Sequence, residues 1–193
     1  NRLLKHSDGN VYAFCNRSVF KCSMNQTVET VFPDIAIPSP TYSVAQAPDK
    51  DIYIGTESNG LYIYSENWKL KKHVPIDGII ATILPDNNGD IWLGLDETGI
   101  CLFNKNKQTF TWLHKDNTNL NNNSIRTFVS YGDSSILVGT FRGLNILNKK
   151  ELTITPANIN IAGKGGLSHY SIHSMLIDKD QTLWIGTYSA GVN

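Results

Sequence analysis

Four copies of one short apolar pattern, no sustained helical spacing, and turn residues every 8–12 positions or so predict an all-β fold of small antiparallel sheets. The copies are Asp51-Ile52-Tyr53-Ile54-Gly55-Thr56 with Gly60-Leu61, and Asp90-Ile91-Trp92-Leu93-Gly94-Leu95 with Gly99-Ile100. Two more are Ser135-Ile136-Leu137-Val138-Gly139-Thr140 with Gly143-Leu144, and Thr182-Leu183-Trp184-Ile185-Gly186-Thr187 with Gly191-Val192. Their first glycines are 39, 45 and 47 residues apart. A period of roughly 40–50 residues built from short strands and glycine turns is that of propeller blades. The expectation is a β-propeller fragment of about four to five four-stranded antiparallel blades, forming an open arc. The blades are placed at about 1–36, 42–75, 78–114 and 124–157, with an incomplete one at 170–193.

Taken in order, the first blade is a degenerate copy. Leu3-Leu4 aligns with Ile83-Leu84, Gly9-Asn10 with Gly89-Asp90, and Val11-Tyr12 with Ile91-Trp92, while Phe14 stands where the others have glycine. The second blade begins at Tyr42 and has its fourth strand near Trp68; the third begins at Gly78 and ends on Phe110-Thr111-Trp112-Leu113. The fourth shows the design most fully. Ser124-Ile125-Arg126-Thr127-Phe128-Val129-Ser130 alternates enough to be a first strand, closed by the turn Tyr131-Gly132-Asp133-Ser134. Ile136-Leu137-Val138 is a continuous apolar run, expected where a strand is covered on both faces. Gly139 follows, where a larger side chain would force neighbouring blades apart. Gly143 supplies the turn into Leu144-Asn145-Ile146-Leu147, and Leu152-Thr153-Ile154 is expected as the outer strand. The last copy starts at Tyr170-Ser171-Ile172 and stops at Asn193, where its third strand begins, so the chain reads as a piece of a larger protein.

Composition narrows the function classes. The 193 residues are 40% apolar, and 17 basic side chains balance 17 acidic ones. No net field steers a nucleic acid or an anionic membrane toward such a chain. No apolar run approaches the ~20 residues of a membrane helix; Ile79-Ile80-Ala81-Thr82-Ile83-Leu84 reads as a buried strand. Of the three cysteines, Cys15 and Cys22 flank a hairpin turn around Asn16-Arg17-Ser18. Pairing Phe14 with Phe20 sets Cys22 opposite Tyr12, which argues against a disulfide, and the spacing is not that of a zinc site.

Strand direction locates the candidate binding face. In a four-stranded blade, the turn between strands two and three opens on the same side as the link into the next blade. That side carries Thr56-Glu57-Ser58-Asn59, Asp96-Glu97-Thr98, Phe141-Arg142 and Tyr188-Ser189-Ala190, with the link residues 116–123 and 157–169. Glu57, Asp96, Asn122, Arg142, His169 and Tyr188 are the candidate ligand-binding residues. The alternative is that such residues serve turn geometry alone.

Catalytic and cofactor patterns are not matched, and no cofactor, metal or catalytic residue is expected. His169 and His173 lie at a loop-to-strand junction, about 13 Å apart if extended, too far for one ion. Gly163-Lys164-Gly165-Gly166 lacks the first glycine and the hydroxyl residue of a phosphate loop and reads as a flexible link. Asp178 and Asp180 recur as Asp86-Asn87-Asn88-Gly89-Asp90, which points to turn formation before acid–base chemistry. Asp86 and Asp178 precede their tryptophans by six residues, one too many for a sialidase aspartate box.

One resemblance covers the chain, most clearly from about Thr41 onward. His114-Lys115-Asp116-Asn117, Leu120-Asn121-Asn122-Asn123-Ser124-Ile125, Leu137-Val138-Gly139-Thr140 and Gly143-Leu144-Asn145 together resemble the two-component regulator propeller repeat. Gly166-Leu167-Ser168-His169-Tyr170-Ser171-Ile172, Ile177-Asp178 and Leu183-Trp184-Ile185-Gly186-Thr187 repeat it. Departures are Leu95 for the threonine and Leu137-Val138 for tryptophan-isoleucine. The resemblance implies a non-enzymatic sensor segment of a hybrid histidine kinase of Gram-negative gut bacteria. It implies a periplasmic location, as part of an inner-membrane protein whose span and kinase lie beyond this fragment. The implied ligand is an oligosaccharide or glycosaminoglycan, and a homodimer is an option. A streptogramin-lyase-like propeller enzyme and a protein-interaction propeller remain as alternatives.

Overall fold

The computed structural model describes residues 2–23, 28–30, 37, 39–157 and 166–193. These form nineteen strands in five antiparallel sheets, each meandering in chain order. The first sheet holds β1 (Arg2–Lys5), β2 (Val11–Cys15), β3 (Ser18–Cys22) and β4 (Val28–Thr30). The second holds β5 (Thr41–Gln46), β6 (Ile52–Thr56), β7 (Leu61–Tyr64) and β8 (Leu70–Val74). The third holds β9 (Ile80–Pro85), β10 (Asp90–Leu95), β11 (Gly99–Asn104) and β12 (Thr109–Leu113). The fourth holds β13 (Ile125–Tyr131), β14 (Ser135–Thr140), β15 (Gly143–Asn148) and β16 (Ile154–Pro156). The fifth has three strands, β17 (Ile172–Ile177), β18 (Leu183–Thr187) and β19 (Gly191–Val192). The fold class is therefore the expected one, all-β with five propeller blades. Contacts divide the chain into two compact units, residues 1–91 and 92–193.

Packing inside each unit explains the repeated glycine. Within residues 1–91, β9 packs against β5 and β6; within residues 92–193, β17 packs against β13 and β14. A Cβ on Gly55 would lie 2.7 Å from Ile80 Cγ2, and one on Gly139 would lie 2.7 Å from Ile172 Cγ2. Both distances are below carbon–carbon contact, so the next sheet's isoleucine occupies the space the glycine leaves. The cross-strand partner of each glycine is a small hydroxyl residue, Ser43 for Gly55 and Thr127 for Gly139. Ser43 also donates to the backbone oxygen of Ile80 at 2.6 Å, tying the two sheets together. The degenerate first copy exchanges the sizes, with Phe14 at the glycine position and Thr41 at the isoleucine position.

The cores lie between neighbouring sheets. Leu4, Tyr12, Phe14, Val19, Ile52, Ile54, Tyr62 and Tyr64 form one cluster, against which Trp68 is packed. Leu137, Leu144, Leu167, Ile172 and Ile185 form another. Burying each such side chain contributes roughly 1.5–3 kcal/mol.

Local expectations are corrected in the first and fourth sheets. Phe14 pairs with Val19, not Phe20, because the hairpin closes on Cys15 and Ser18 through a two-residue turn, with Asn16 at φ 58°. Cys22 is therefore opposite Val11, and all three cysteines are free thiols. Trp68 lies in the turn before β8, at φ 59°, with its ring centroid 5.6 Å from that of His6 and 4.8 Å from that of Tyr12. The fourth strand expected near Trp68 is β8, and the Trp68 ring itself packs against the core. Leu152, at φ 53°, and Thr153 belong to the turn before β16, because Asn148 N–H donates to Thr153 O and closes it. The link residues 158–165, including Gly163-Lys164-Gly165, lie outside the described residues.

Candidate functional site

A single backbone device builds the turn end of the sheets. The amide after the Gly-Thr pair donates to the carbonyl just before the first strand: Glu57 to Pro40 at 3.0 Å, Phe141 to Ser124 at 3.0 Å and Tyr188 to Ser171 at 2.9 Å. The threonine itself closes the turn. Thr56, Thr140 and Thr187 donate through Oγ1 to the carbonyls of Gly60, Gly143 and Gly191 at 2.8, 2.9 and 3.1 Å. Gly143 holds φ 108°, which only glycine adopts readily. This explains why the pattern reads Gly-Thr followed by Gly.

A bulge in the first strand then aims one side chain at this end. Registers run Thr41↔Thr56 then Ser43↔Gly55, Ile125↔Thr140 then Thr127↔Gly139, and Ile172↔Thr187 then Ser174↔Gly186. Tyr42, Arg126 and His173 are the residues left over, and such bulges commonly re-aim a side chain. Each sits beside the residue that follows the Gly-Thr pair. Arg126 lies 5.9 Å from the Phe141 ring centroid, His173 and Tyr188 are 5.4 Å apart by centroids, and Tyr42 shares a cleft with Glu57. The bulge residues were not singled out from the sequence. The available signal was the segment Ile-Arg-Thr, Ile-His-Ser, Thr-Tyr-Ser, in which the middle residue varies between repeated flanks.

The sequence-derived candidates divide into two groups. Asn122 and His169 occupy equivalent positions and do the same turn work. Asn122 Oδ1 accepts from Ser124 N–H at 2.9 Å, and His169 Nδ1 accepts from Ser171 N–H at 3.0 Å. Asp96 meets Arg126 Nη1 at 3.2 Å, both side chains being about one-fifth exposed. Asp96 Oδ1 and Arg126 Nε have no hydrogen-bond partner. Tyr188 is exposed and lies 6.2 Å from His169, which stacks on Tyr170 at 4.6 Å. Arg142 is exposed, its amide bound to Thr140 Oγ1 at 3.0 Å. Glu57 is exposed and lines a cleft of about 350 Å³ with Arg2, Asn16, Pro40, Thr41 and Tyr42. Thus Tyr188 and His169 come together, Asp96 finds Arg126, and Glu57 finds Tyr42.

A second cleft, about 390 Å³, lies among residues 116–119 and 152–154. Two of its polar side chains are engaged in the loop itself: the Asn117 amide accepts from His114 N–H and donates to Trp112 O, and Thr118 Oγ1 donates to His114 O.

The recurring aspartates are structural. Asp178 Oδ1 accepts from the Asp180 and Thr182 amides at 2.9 Å each, while Oδ2 accepts from the Trp184 indole at 2.7 Å. The indole bond, together with the backbone bonds, holds this carboxyl below the usual carboxylate range. In the first blade Asp8 behaves alike. Burial alone would raise its pKa, but hydrogen bonds from Asn10 and the Tyr12 hydroxyl outweigh that and lower it. Four of the five histidines are also committed: His6 packs on Trp68, His73 stacks on Tyr62, and His114 and His169 accept backbone amides through Nδ1. Among the described residues, no group of three or more His, Cys, Asp or Glu side chains could hold a metal ion.

The last copy decides the family of the repeat. Residues 166–189 match the family described as two component regulator propeller. They are a two-component regulator propeller repeat. This repeat contains β17, β18, the His173 bulge and Tyr188, so the turn-end device belongs to the repeat itself. No curated protein sequence matches the chain. Among solved structures, it is similar to the extracellular domain assigned to a hybrid two component system, BT3049, from B. thetaiotaomicron. Identity is 24% and TM-score 0.75, over 99% of this chain and 26% of that one. The corresponding domain of BT4673 from the same organism gives 18% identity and TM-score 0.80, over 100% and 27%. The chain thus spans about a quarter of the length of these structures. Virginiamycin B lyase from Staphylococcus aureus gives 14% identity and TM-score 0.69, over 99% and 67%. At these identities the likenesses establish the shared fold.

Proposed function

We propose that this chain is the ligand-sensing part of the extracytoplasmic region of a hybrid two-component receptor, and that it recognises polysaccharide-derived ligands without transforming them. The observation that carries the reading is the two-component regulator propeller repeat at residues 166–189, whose pattern recurs along the chain. Likeness to extracellular domains assigned to hybrid two component systems supports it. The receptor sits in the inner membrane with this region in the periplasm, and the kinase lies elsewhere in the protein. Ligand binding at the turn end biases a two-state arrangement of the receptor dimer, which requires different affinities for the two states.

The binding chemistry is supplied by side chains whose flanks are fixed by backbone hydrogen bonds. Tyr42, Phe141 and Tyr188 offer ring faces; Arg126, Arg142, Glu57 and Asp96 offer donors and acceptors for hydroxyl groups. The engagement of four histidines and of the turn aspartates in structure supports a binding role over the lyase-like alternative. Titration calorimetry with neutral and acidic oligosaccharides, and analysis of the recovered glycans by mass spectrometry, test both parts. Saturable heat with unchanged glycan is expected. Folded protein giving no heat with any glycan overturns the sensing reading, and cleaved glycan overturns the non-catalytic one.

A further inference from the structure

Among the described residues, each four-stranded sheet ends on an outer strand that pairs on one side only: β4, β8, β12 and β16. Such an edge invites pairing with another chain unless charge, proline or shortness blunts it. Matched by register on the third strand of each sheet, three of the four carry one of these devices. Glu29 lies opposite Lys21, and Lys72 opposite Ile63, so an ionised side chain stands in the middle of β4 and of β8. In the three-residue β16, Pro156 lies opposite Asn145 and offers no N–H. The third sheet is different. Thr111 and Trp112 lie opposite Leu102 and Cys101, and Thr109-Phe110-Thr111-Trp112-Leu113 contains neither charge nor proline.

The edge of β12 is also accessible. Its first four residues are exposed, Phe110 at 42% and Trp112 at 37%. Asn117 Nδ2 donates to Trp112 O at 2.9 Å, so this carbonyl serves the following loop and not β11. Main-chain groups of an antiparallel strand alternate sides from residue to residue, so Phe110 N–H and C=O point the same way, off the sheet. The two aromatic rings share one face, where Phe110 stacks on Phe103 at 5.0 Å, and the threonines share the other. An added strand finds main-chain partners there and cross-strand neighbours for β-branched or aromatic side chains. Exposed Lys107 and Lys115 flank the strand, while the nearby Asp116 carboxylate faces His114 at 3.5 Å.

We propose that the edge of β12 is a docking strand for an extended segment of another protein, one in which a short β-branched or aromatic stretch has acidic residues at both ends. The segment adds to the third sheet as a fifth antiparallel strand, its main chain bonding at Phe110. The flanking charges select this occupant over a second copy of the chain. A copy paired antiparallel about Thr111 would set Lys107 beside the second copy's Lys115 at both ends, and like charges there oppose pairing. Acidic flanks meet the same lysines with opposite sign. The surface involves none of the turn-end residues and does not depend on what they bind.

The test uses the 193-residue chain and capped peptides whose centre alternates threonine with valine, phenylalanine or tyrosine. One set carries acidic residues at both ends, a second carries lysines there, and a third is the acidic set N-methylated at alternate backbone amides. Expected is binding of the acidic set, read by fluorescence anisotropy, with amide chemical-shift changes at Phe110 and Trp112. N-methylation should weaken it about tenfold, and so should Trp112→Pro, which copies the fourth sheet; Trp112→Val keeps the N–H and should weaken it less. Lys107→Glu combined with Lys115→Glu should weaken the acidic set about fivefold and favour the lysine set. Both lysines are exposed, so this variant keeps the test valid even where Trp112→Pro fails to fold. Equal binding of methylated and unmethylated acidic peptides overturns the added strand. Lysine-flanked peptides binding the unaltered chain as well as acidic ones overturns the acidic class, and no binding of any peptide to folded protein overturns the proposal. Concentration-dependent sedimentation that Trp112→Pro abolishes in the absence of peptide would make a second copy the occupant and overturn the assignment.

Discussion

At the scale of single residues, the Thr140 hydroxyl shows how one atom sets a turn. Its Oγ1 lies 2.9 Å from both Gly143 O and Asn121 Oδ1 and accepts the Arg142 amide at 3.0 Å. Asn121 in turn accepts from the side-chain amide of the fully buried Asn145 at 2.7 Å. Thr140→Val keeps the shape and removes the hydrogen bonds, so a loss of about 1–3 kcal/mol is expected in urea unfolding. Asp8 gives the molecule an acid-sensitive point. Its folded pKa lies below the unfolded value of roughly 4. The stabilisation is therefore present above that pH and is lost as the pH falls. Melting temperature should decline from pH 5 toward pH 3, and Asp8→Asn should flatten that decline; an equal slope in the variant would assign the effect to other carboxylates. The role of Asn122 as a turn former was legible as one of two options in the sequence, because asparagine suits both a turn and a ligand. The bond to Ser124 decided it.

At the scale of elements, the blade junction depends on a pair of unequal sizes. Gly139 faces Ile172 across two sheets, and a Cβ would also meet Thr127 Cγ2 at 2.7 Å. Gly139→Ala is expected to cost about 1–3 kcal/mol through overpacking. In an Ile172→Ala background, which lacks that Cγ2, the cost of Gly139→Ala should shrink, so a double-mutant cycle measured by denaturant unfolding should show coupling of the two sites. Additive losses would mean that the sheets are not held by this contact. The strands themselves were largely readable, since apolar runs, turn glycines and spacing repeat in every copy. Register was less so. The Phe14 pairing slipped by one because the turn at Asn16 has two residues, and the sequence Asn16-Arg17-Ser18 accommodates either length. The bulges are marked only by one varying residue between repeated flanks, because a bulge changes which residue faces which and leaves the composition of the strand unchanged.

At the scale of the whole molecule, the fifth sheet differs from its counterparts in what covers it. In the fourth sheet Val129, Leu137 and Leu144 pack with Ile172. Their equivalents in the fifth sheet are Leu176, Trp184 and Val192, which share one face by register. Trp184 is 47% exposed, whereas Tyr53, Trp92 and Leu137 at the same position are 0%, 1% and 4% exposed. An exposed apolar face of this kind favours association in water. The chain by itself is expected to bind a hydrophobic reporter dye and to sediment faster as concentration rises. Leu176→Lys combined with Val192→Lys should reduce both effects several-fold. No change would mean that the face is not the contact surface.

The sequence by itself determined the all-β class, the propeller architecture, the blade period and the place of the repeated glycines, because these follow from local patterns written several times. It also determined which end of each blade carries variable polar and aromatic residues, since strand direction alone fixes that. Tertiary structure decided which of those residues meet. Arg126 reaches Asp96 from another sheet, 30 residues away, and Tyr42 joins Glu57, Asn16 and Arg2 around a cleft, across separations of 15 to 40 residues from Tyr42. Such pairings depend on bulges and on sheet-to-sheet packing, and the local order of residues does not specify which side chains these bring together.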